Sequence, residues 1–197
     1  HKRIIFNGNN YSEEWVAEAE RRGLPNLKTA VDAIPALIAE KNIELFKRTG
    51  VLSPTEVYSR YEIQLENYIK TLRIEALTMA EMINRQILPA ALNYVKRVAD
   101  TVSALKSAGA DSKYAKKTLD KLVIITSGLK IDADALNESI ETLDKMTGET
   151  LIKARAYKEM VLPIMEDLRK DADKLESMMD ASLWPIPTYG DLLFGLI

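Results

Sequence analysis

Ser53-Pro54-Thr55-Glu56, running into Val57-Tyr58-Ser59-Arg60-Tyr61-Glu62-Ile63-Gln64-Leu65, is the stretch whose reading decides the fold. Ser53 can accept from the backbone N–H of Glu56 while the Glu56 carboxylate reaches back to Ser53. Pro54 stands at the first helical position, where a missing backbone donor is harmless. From that start, apolar residues fall at Tyr58, Tyr61, Leu65, Tyr68, Leu72, Ala76, Met79, Ile83 and Ile87. Steps of three and four place them on one stripe of a long helix. Pro89 cannot donate to the helical ladder, so a kink or break is expected there. The pattern resumes at Leu88, Leu92, Val95, Ala99, Val102 and Leu105 and stops at Gly109.

Outward from this segment, glycine and proline act as punctuation. Ser12 caps a helix from Glu13 to Arg22, with Glu13 and Glu14 favoured in its first turn and Gly23 as its stop. A second helix is expected from about Val31 to Arg48, with Pro35 in its opening turn and Gly50 at its end. Asp111 or Ser112 caps a helix carrying Leu119, Leu122 and Val123 that ends near Gly128. Asp132 or Asp134 caps another, with Leu136, Ile140 and Leu143 on one face and Gly148 at its end. The last helix runs from about Glu149 to Ser182, with Leu151, Tyr157, Ile164, Leu168, Ala172 and Leu175 inward and a bend at Pro163. Trp184-Pro185-Ile186-Pro187 then enforces an extended path.

Ile4-Ile5-Phe6 could be a short strand, and Val123-Ile124-Ile125 reads either way; no other segment alternates as strands do. The expected fold is therefore all-α: an antiparallel helical bundle with two long, proline-kinked helices and an extended C-terminal tail. Residues 1–26 form a junction with the first helix, 27–183 the bundle, and 184–197 the tail.

Composition narrows the functions. Of 197 residues, 47% are hydrophobic and 28% charged, so there is enough chain to bury a real core. Lys plus Arg (27) nearly balances Asp plus Glu (29), which argues for neither a nucleic-acid partner nor a membrane surface. No apolar run is long enough to span a bilayer. Cysteine is absent, which removes disulfides and thiolate chemistry and fits a cytoplasmic location. The opening His1-Lys2-Arg3, without an initiator Met, reads as the cut end of a longer polypeptide.

Catalytic patterns are few. The single histidine is His1, so a His-based general base or multi-His metal site is excluded. Glu13, Glu14 and Glu18 share one helix and Asp132 and Asp134 another, and each set reads first as helix-start charge. Asn7-Gly8-Asn9-Asn10 lacks the spacing of a phosphate loop and reads as a turn, since Asn and Gly tolerate positive φ. Trp15, Trp184, Tyr189 and Phe194 are large anchors near the two chain ends, suited either to docking on another body or to ordinary burial. No catalytic, cofactor-binding or metal-binding residue is assigned. Asn7, Gly8, Asn9, Trp15, Trp184, Tyr189 and Phe194 are the docking candidates.

Two motifs go beyond helix physics. Arg3-Ile4-Ile5-Phe6-Asn7-Gly8-Asn9-Asn10-Tyr11-Ser12-Glu13-Glu14-Trp15, followed by Glu18-Ala19 and Arg22-Gly23-Leu24-Pro25-Asn26, is similar to the segment directly after the catalytic fold of type III glutamine synthetases. Trp184-Pro185-Ile186-Pro187-Thr188-Tyr189-Gly190-Asp191-Leu192-Leu193-Phe194 resembles the terminal signature of that family. Ser59-Arg60-Tyr61-Glu62, Ile74-Glu75-Ala76 and Thr78-Met79 match in order between them, whereas 109–158 contributes little and Asn10 replaces an expected glycine. The resemblance implies a parent that joins ammonia to glutamate with ATP and Mg or Mn through a γ-glutamyl phosphate. Those metal-binding and phosphate-contacting residues lie upstream of this segment, so no cofactor is expected within it. The implied partners are the upstream catalytic domain of the same chain and other subunits of a homo-oligomer. A free-standing helical scaffold or adaptor is the alternative.

Overall fold

The computed structural model describes residues 2–195, and among them no strand occurs. The chain divides into two compact units, the first ending at Tyr68 and the second beginning at Ile69.

In the first unit, α1 (Glu13–Arg21) starts as its sequence dictates: Ser12 is extended and its Oγ accepts from the Trp15 N–H at 3.4 Å. Gly23 follows at φ +70, the left-handed geometry that glycine adopts without a Cβ penalty. Ile4-Ile5-Phe6 is not a strand; Lys2–Ile4 forms a single 3-10 turn. The helix expected from Val31 to Arg48 is broken into α2 (Ala30–Ala33), a 3-10 turn (Ile34–Ile38) and α3 (Glu40–Thr49). Pro35 has no N–H for the carbonyl four residues back, and Ala39 turns extended before α3 begins. The Ala36 carbonyl accepts from the Ala39 N–H at 3.2 Å and from the Asn42 side-chain amide at 2.6 Å. Gly50, at φ +68, ends α3 as expected.

Helix α4 (Pro54–Met82) opens on the anticipated reciprocal cap: the Ser53 N–H donates to Glu56 Oε2 at 2.7 Å and the Glu56 N–H to Ser53 Oγ at 3.3 Å. The Ser53 N–H, and then the Ser53 hydroxyl that donates to the same oxygen at 2.7 Å, hold the Glu56 carboxyl below its usual range. The buried stripe runs through Val57, Tyr61, Leu65, Ile69, Leu72, Ala76, Ala80, Ile83 and Ile87, while Tyr58 is half exposed. Its first step is thus Val57, one residue earlier than the tyrosine pattern suggests.

No break occurs at Pro89. A π turn (Ile83–Ile87) precedes it, and α5 (Leu88–Ser107) follows directly. The π turn takes up the extra residue, so Pro89 lands in the first turn of α5, where no donor is needed.

In the second unit, Lys113–Asp144 is one helix, α6, where two were expected. Gly128 does not stop it, and Asp132 and Asp134 lie within it rather than capping a new one. The reason is the burial that continues across the glycine: Leu122, Thr126, Leu129, Ala133, Leu136, Ile140 and Leu143 are all buried. A mid-helix glycine costs only about 1 kcal/mol relative to alanine, less than exposing one of those leucines. Val123-Ile124-Ile125 is helical, with Ile124 facing out.

Helix α7 (Thr150–Met178) ends four residues earlier than read and contains Pro163 on its exposed side. Helix α6 packs against both α5 and α7. Asp144 meets Tyr157 near the intervening turn, whereas Gly128 meets Asp171 farther out, so α6 and α7 run antiparallel. Arg73 on α4 donates Nε and Nη2 to the two Asp144 oxygens at 2.7 Å each. Tyr157, wholly buried, donates its hydroxyl to the same carboxylate at 3.3 Å. Asp144 is held below its usual pKa chiefly by Arg73, while burial pushes Tyr157 up. One carboxylate thereby joins three helices.

The segment after α7 is extended at Met179 and again at Trp184, but it does not stay so. Tyr189–Phe194 forms α8, set by a Thr188/Asp191 capping box with the Asp191 N–H on Thr188 Oγ1 at 3.2 Å. This is the Ser53/Glu56 logic repeated with a threonine and a shorter acid.

Two substitutions on α6 separate packing from propensity. Leu136→Ala should lower unfolding free energy by about 2–5 kcal/mol. Gly128→Ala should raise it by up to about 1 kcal/mol, because the added Cβ meets only the Asp171 carboxylate at 3.3 Å, the end of a flexible side chain. Urea titrations followed by circular dichroism measure both, and a destabilised Gly128→Ala variant would mean that Asp171 cannot yield.

Candidate functional site

The docking candidates near the start fall into one cluster in the first unit. Gly8 is needed there, but not for positive φ as an Asn-Gly turn would require. A Cβ at Gly8 would stand 2.7 Å from the Phe6 ring, so the glycine lets that ring lie against the backbone. Phe6 stacks on Trp15, ring centroids 4.7 Å apart at 28°. On Trp15 sits the Arg22 guanidinium, 5.7 Å from the ring centroid, and its Nη1 donates to the Ile5 carbonyl at 2.7 Å. Glu18 accepts from Arg22 Nε and, with both oxygens at 2.7 Å, from Arg21. Hydrogen bonds from Arg21, then Arg22, lower the Glu18 pKa to about 2.

Asn9 fixes the turn itself: its Oδ1 accepts from the Tyr11 N–H at 3.0 Å, and its carbonyl accepts from the Ser12 N–H and hydroxyl at 3.1 and 2.8 Å. Trp15 is half-buried, while Asn7, Gly8 and Asn9 are exposed. The sequence reading singled out Gly8 and Trp15 but missed Phe6, Glu18 and Arg22. The i, i+4 spacing of Glu18 and Arg22, one turn beyond Trp15, was the available signal.

The candidates near the end of the chain separate. Trp184 is 9% exposed and lies within the second unit, where it lines a cavity of about 580 Å³. The last turns of α4, the π turn, α7 and the segment from Trp184 to Leu192 build that cavity. Its walls are apolar, among them Met79, Met82 and Met165, with Glu75, Asp173 and Glu176 among the polar residues lining it. Trp184 Nε1 has no acceptor among the described residues, a buried N–H whose desolvation costs about 1–3 kcal/mol. Phe194, by contrast, is 84% exposed, with Leu192 and Leu193 beside it in the same condition. The Tyr189 side chain lies outside the described residues. Of these candidates, then, Trp184 is a wall of the domain's own cavity and Phe194 is free to meet something else.

Among the described residues, no group of three or more Asp, Glu, His or Cys is arranged to hold a metal ion. No helix there is long and apolar enough to cross a membrane.

A family model described as the glutamine synthetase C-terminal domain matches residues 1–106. A glutamine synthetase of Butyrivibrio fibrisolvens is 40% identical over 198 residues, covering 100% of this chain and 28% of that protein. A type-3 glutamine synthetase of Dictyostelium discoideum is 32% identical over 203 residues, 98% of this chain and 27% of its own length. The glutamine synthetase of Bacteroides fragilis (strain YCH46) is 29% identical over 197 residues, again covering 27% of that protein. The chain thus spans little more than a quarter of the length of the relatives it matches.

The Glu18 clasp gives a pH prediction with a definite sign. A carboxyl whose folded pKa is depressed stabilises the fold above its ordinary pKa and loses that contribution as pH falls through the folded value. Its support for Arg22 should therefore be complete above pH 4.5 and vanish as the pH falls through about 2. Carboxylate NMR of ¹³C-labelled protein should place the Glu18 midpoint near the lower value. A midpoint at an ordinary glutamate position would mean that the arginine contacts do not persist in solution.

Proposed function

Because the chain belongs to the glutamine synthetase C-terminal domain family, we propose that it serves as the non-catalytic helical part of a type III glutamine synthetase, an ATP-dependent glutamate–ammonia ligase. In this reading the catalytic domain precedes it in the same polypeptide and carries ATP and Mg or Mn. The helical part docks on that domain and supports assembly of a cytoplasmic homo-oligomer.

The observation that carries the docking reading is the contrast at α8. Leu192, Leu193 and Phe194 are 70%, 72% and 84% exposed on a helix that its own capping box holds in place. A short, pre-formed helix presenting three large apolar side chains is suited to burial against another surface, because little ordering entropy remains to be lost. The Phe6–Trp15–Arg22 cluster supports the same reading at the other end. It pins the segment that leads into α1, which supports a defined attachment for a preceding domain. Phosphoryl transfer requires positioned cations and bridging metal ions, and in this proposal both belong to the preceding domain.

Two experiments test it. The chain by itself should neither hydrolyse ATP nor form glutamine; metal-dependent turnover that survives repurification would overturn the non-catalytic reading. In the full-length protein, Phe194→Ala should give a smaller or more heterogeneous particle by analytical ultracentrifugation, with activity falling in step. An interface aromatic of this kind contributes on the order of 2 kcal/mol or more. Trp184→Ala should instead lower the thermal stability of the helical part itself. A Phe194→Ala protein of native size that has lost turnover would mean that the domain acts on the active site rather than on assembly.

A further inference from the structure

The cavity beside Trp184 has features that core packing does not require. Its volume of about 580 Å³ falls within the span of about 300–1,000 Å³ typical of small-molecule sites. Met79, Met82 and Met165 line it, and unbranched, polarizable side chains adapt to a guest better than β-branched ones. Ile83 and Ile87 come from the π turn, a distortion of α-helices that is frequent at functional sites.

The polar lining then narrows the class of guest. Asp173 is engaged by Arg169 Nε at 2.8 Å. Glu75 on α4 and Glu176 on α7 have no hydrogen-bond or ion-pair partner among the described residues. An apolar interior is therefore bordered by two unmatched carboxylates from different helices. With Arg169 of the same lining engaged on Asp173, the rim is net negative and favours a cation over an anion. A molecule with a hydrocarbon middle and a cation at each end matches the apolar walls and the two carboxylates.

We propose that this cavity binds a linear aliphatic diamine, its methylene chain against Trp184 and the three methionines and its two ammonium groups at Glu75 and Glu176. The site lies within the second unit and shares Leu192 with the exposed face of α8, whereas the methionines that report on it are not part of that face. Ammonium is the appropriate cation because each end keeps partial contact with water, where a charge pair need not overcome full desolvation.

Titration of ¹³C-methyl-methionine protein with 1,8-diaminooctane tests this. Saturable shifts are expected at Met79, Met82 and Met165, with Met146 and Met160, which do not line the cavity, left unmoved. The uncharged isostere 1,8-octanediol should bind roughly tenfold more weakly, and Glu75→Gln combined with Glu176→Gln should weaken the diamine by a similar factor. Both changes are isosteric and fall at residues that are not buried, and an unchanged far-ultraviolet circular dichroism spectrum verifies the fold. Unmoved cavity methionines, equal affinity for diol and diamine, or full diamine affinity in the double variant would each overturn the proposal.

Discussion

The second unit depends on one constraint, the uninterrupted burial of a single face of α6. Leu122, Leu129, Leu136 and Leu143 recur every seven residues, with Thr126, Ala133 and Ile140 at the intermediate positions, and all seven are 5% exposed or less. A strict seven-residue repeat keeps one seam toward a neighbouring helix along its whole length. Helix α7 answers with Ala154, Val161, Leu168 and Leu175 at the same interval, also buried. Two antiparallel seams of this kind fix the register of α6 on α7, which brings Asp144 to Tyr157 at one end. Arg73 can then close the junction with a bidentate contact. The polar tie is a consequence of the apolar register, because a shift of one helical turn would carry the partners about 5 Å apart.

The cavity follows from the same register. Where α7 and the end of α4 line the cavity, methionines, small residues and charged residues accompany Leu168 and Ile74, and the π turn adds Ile83 and Ile87. The segment that begins at Trp184 covers part of that gap without filling it. A helical domain whose central seam is tightly packed can tolerate such an opening at one flank. An opening of the same size along the α6 seam would remove the contacts that hold it.

The two chain ends, both marked by aromatic residues, turn out to do different things. Trp15 is half-buried in a cluster that organises its own neighbourhood, and Trp184 is a wall of the second unit. Phe194, with Leu192 and Leu193 beside it, stands in solvent, as does Tyr11 near the other end. A Trp or Phe in a sequence announces a large apolar area to be covered; it does not say whether the cover comes from within the domain or from outside it.

Much of this protein was determined locally and could be read without coordinates. The Ser53/Glu56 and Ser12 caps, the stops at Gly23, Gly50 and Gly109, and the α-helical class all rest on bonds within four residues or on the φ that one residue can adopt. The family was legible for a related reason, since its motifs are contiguous strings of residues. What the tertiary structure decided were the cases in which a local preference of about 1 kcal/mol met a larger non-local term. Gly128 reads as a stop, yet α6 passes through it because the leucine seam continues on both sides. Pro89 reads as a kink or a break, yet the helix is not broken there, because a π turn sets the proline in the first turn of α5. Gly8 reads as a turn glycine, yet it is the Phe6 ring that requires it. The cavity left no trace in the pattern at all, because a void belongs to no residue: it exists only where side chains from α4, α7 and the terminal segment fail to meet, and their distances are set by the whole fold.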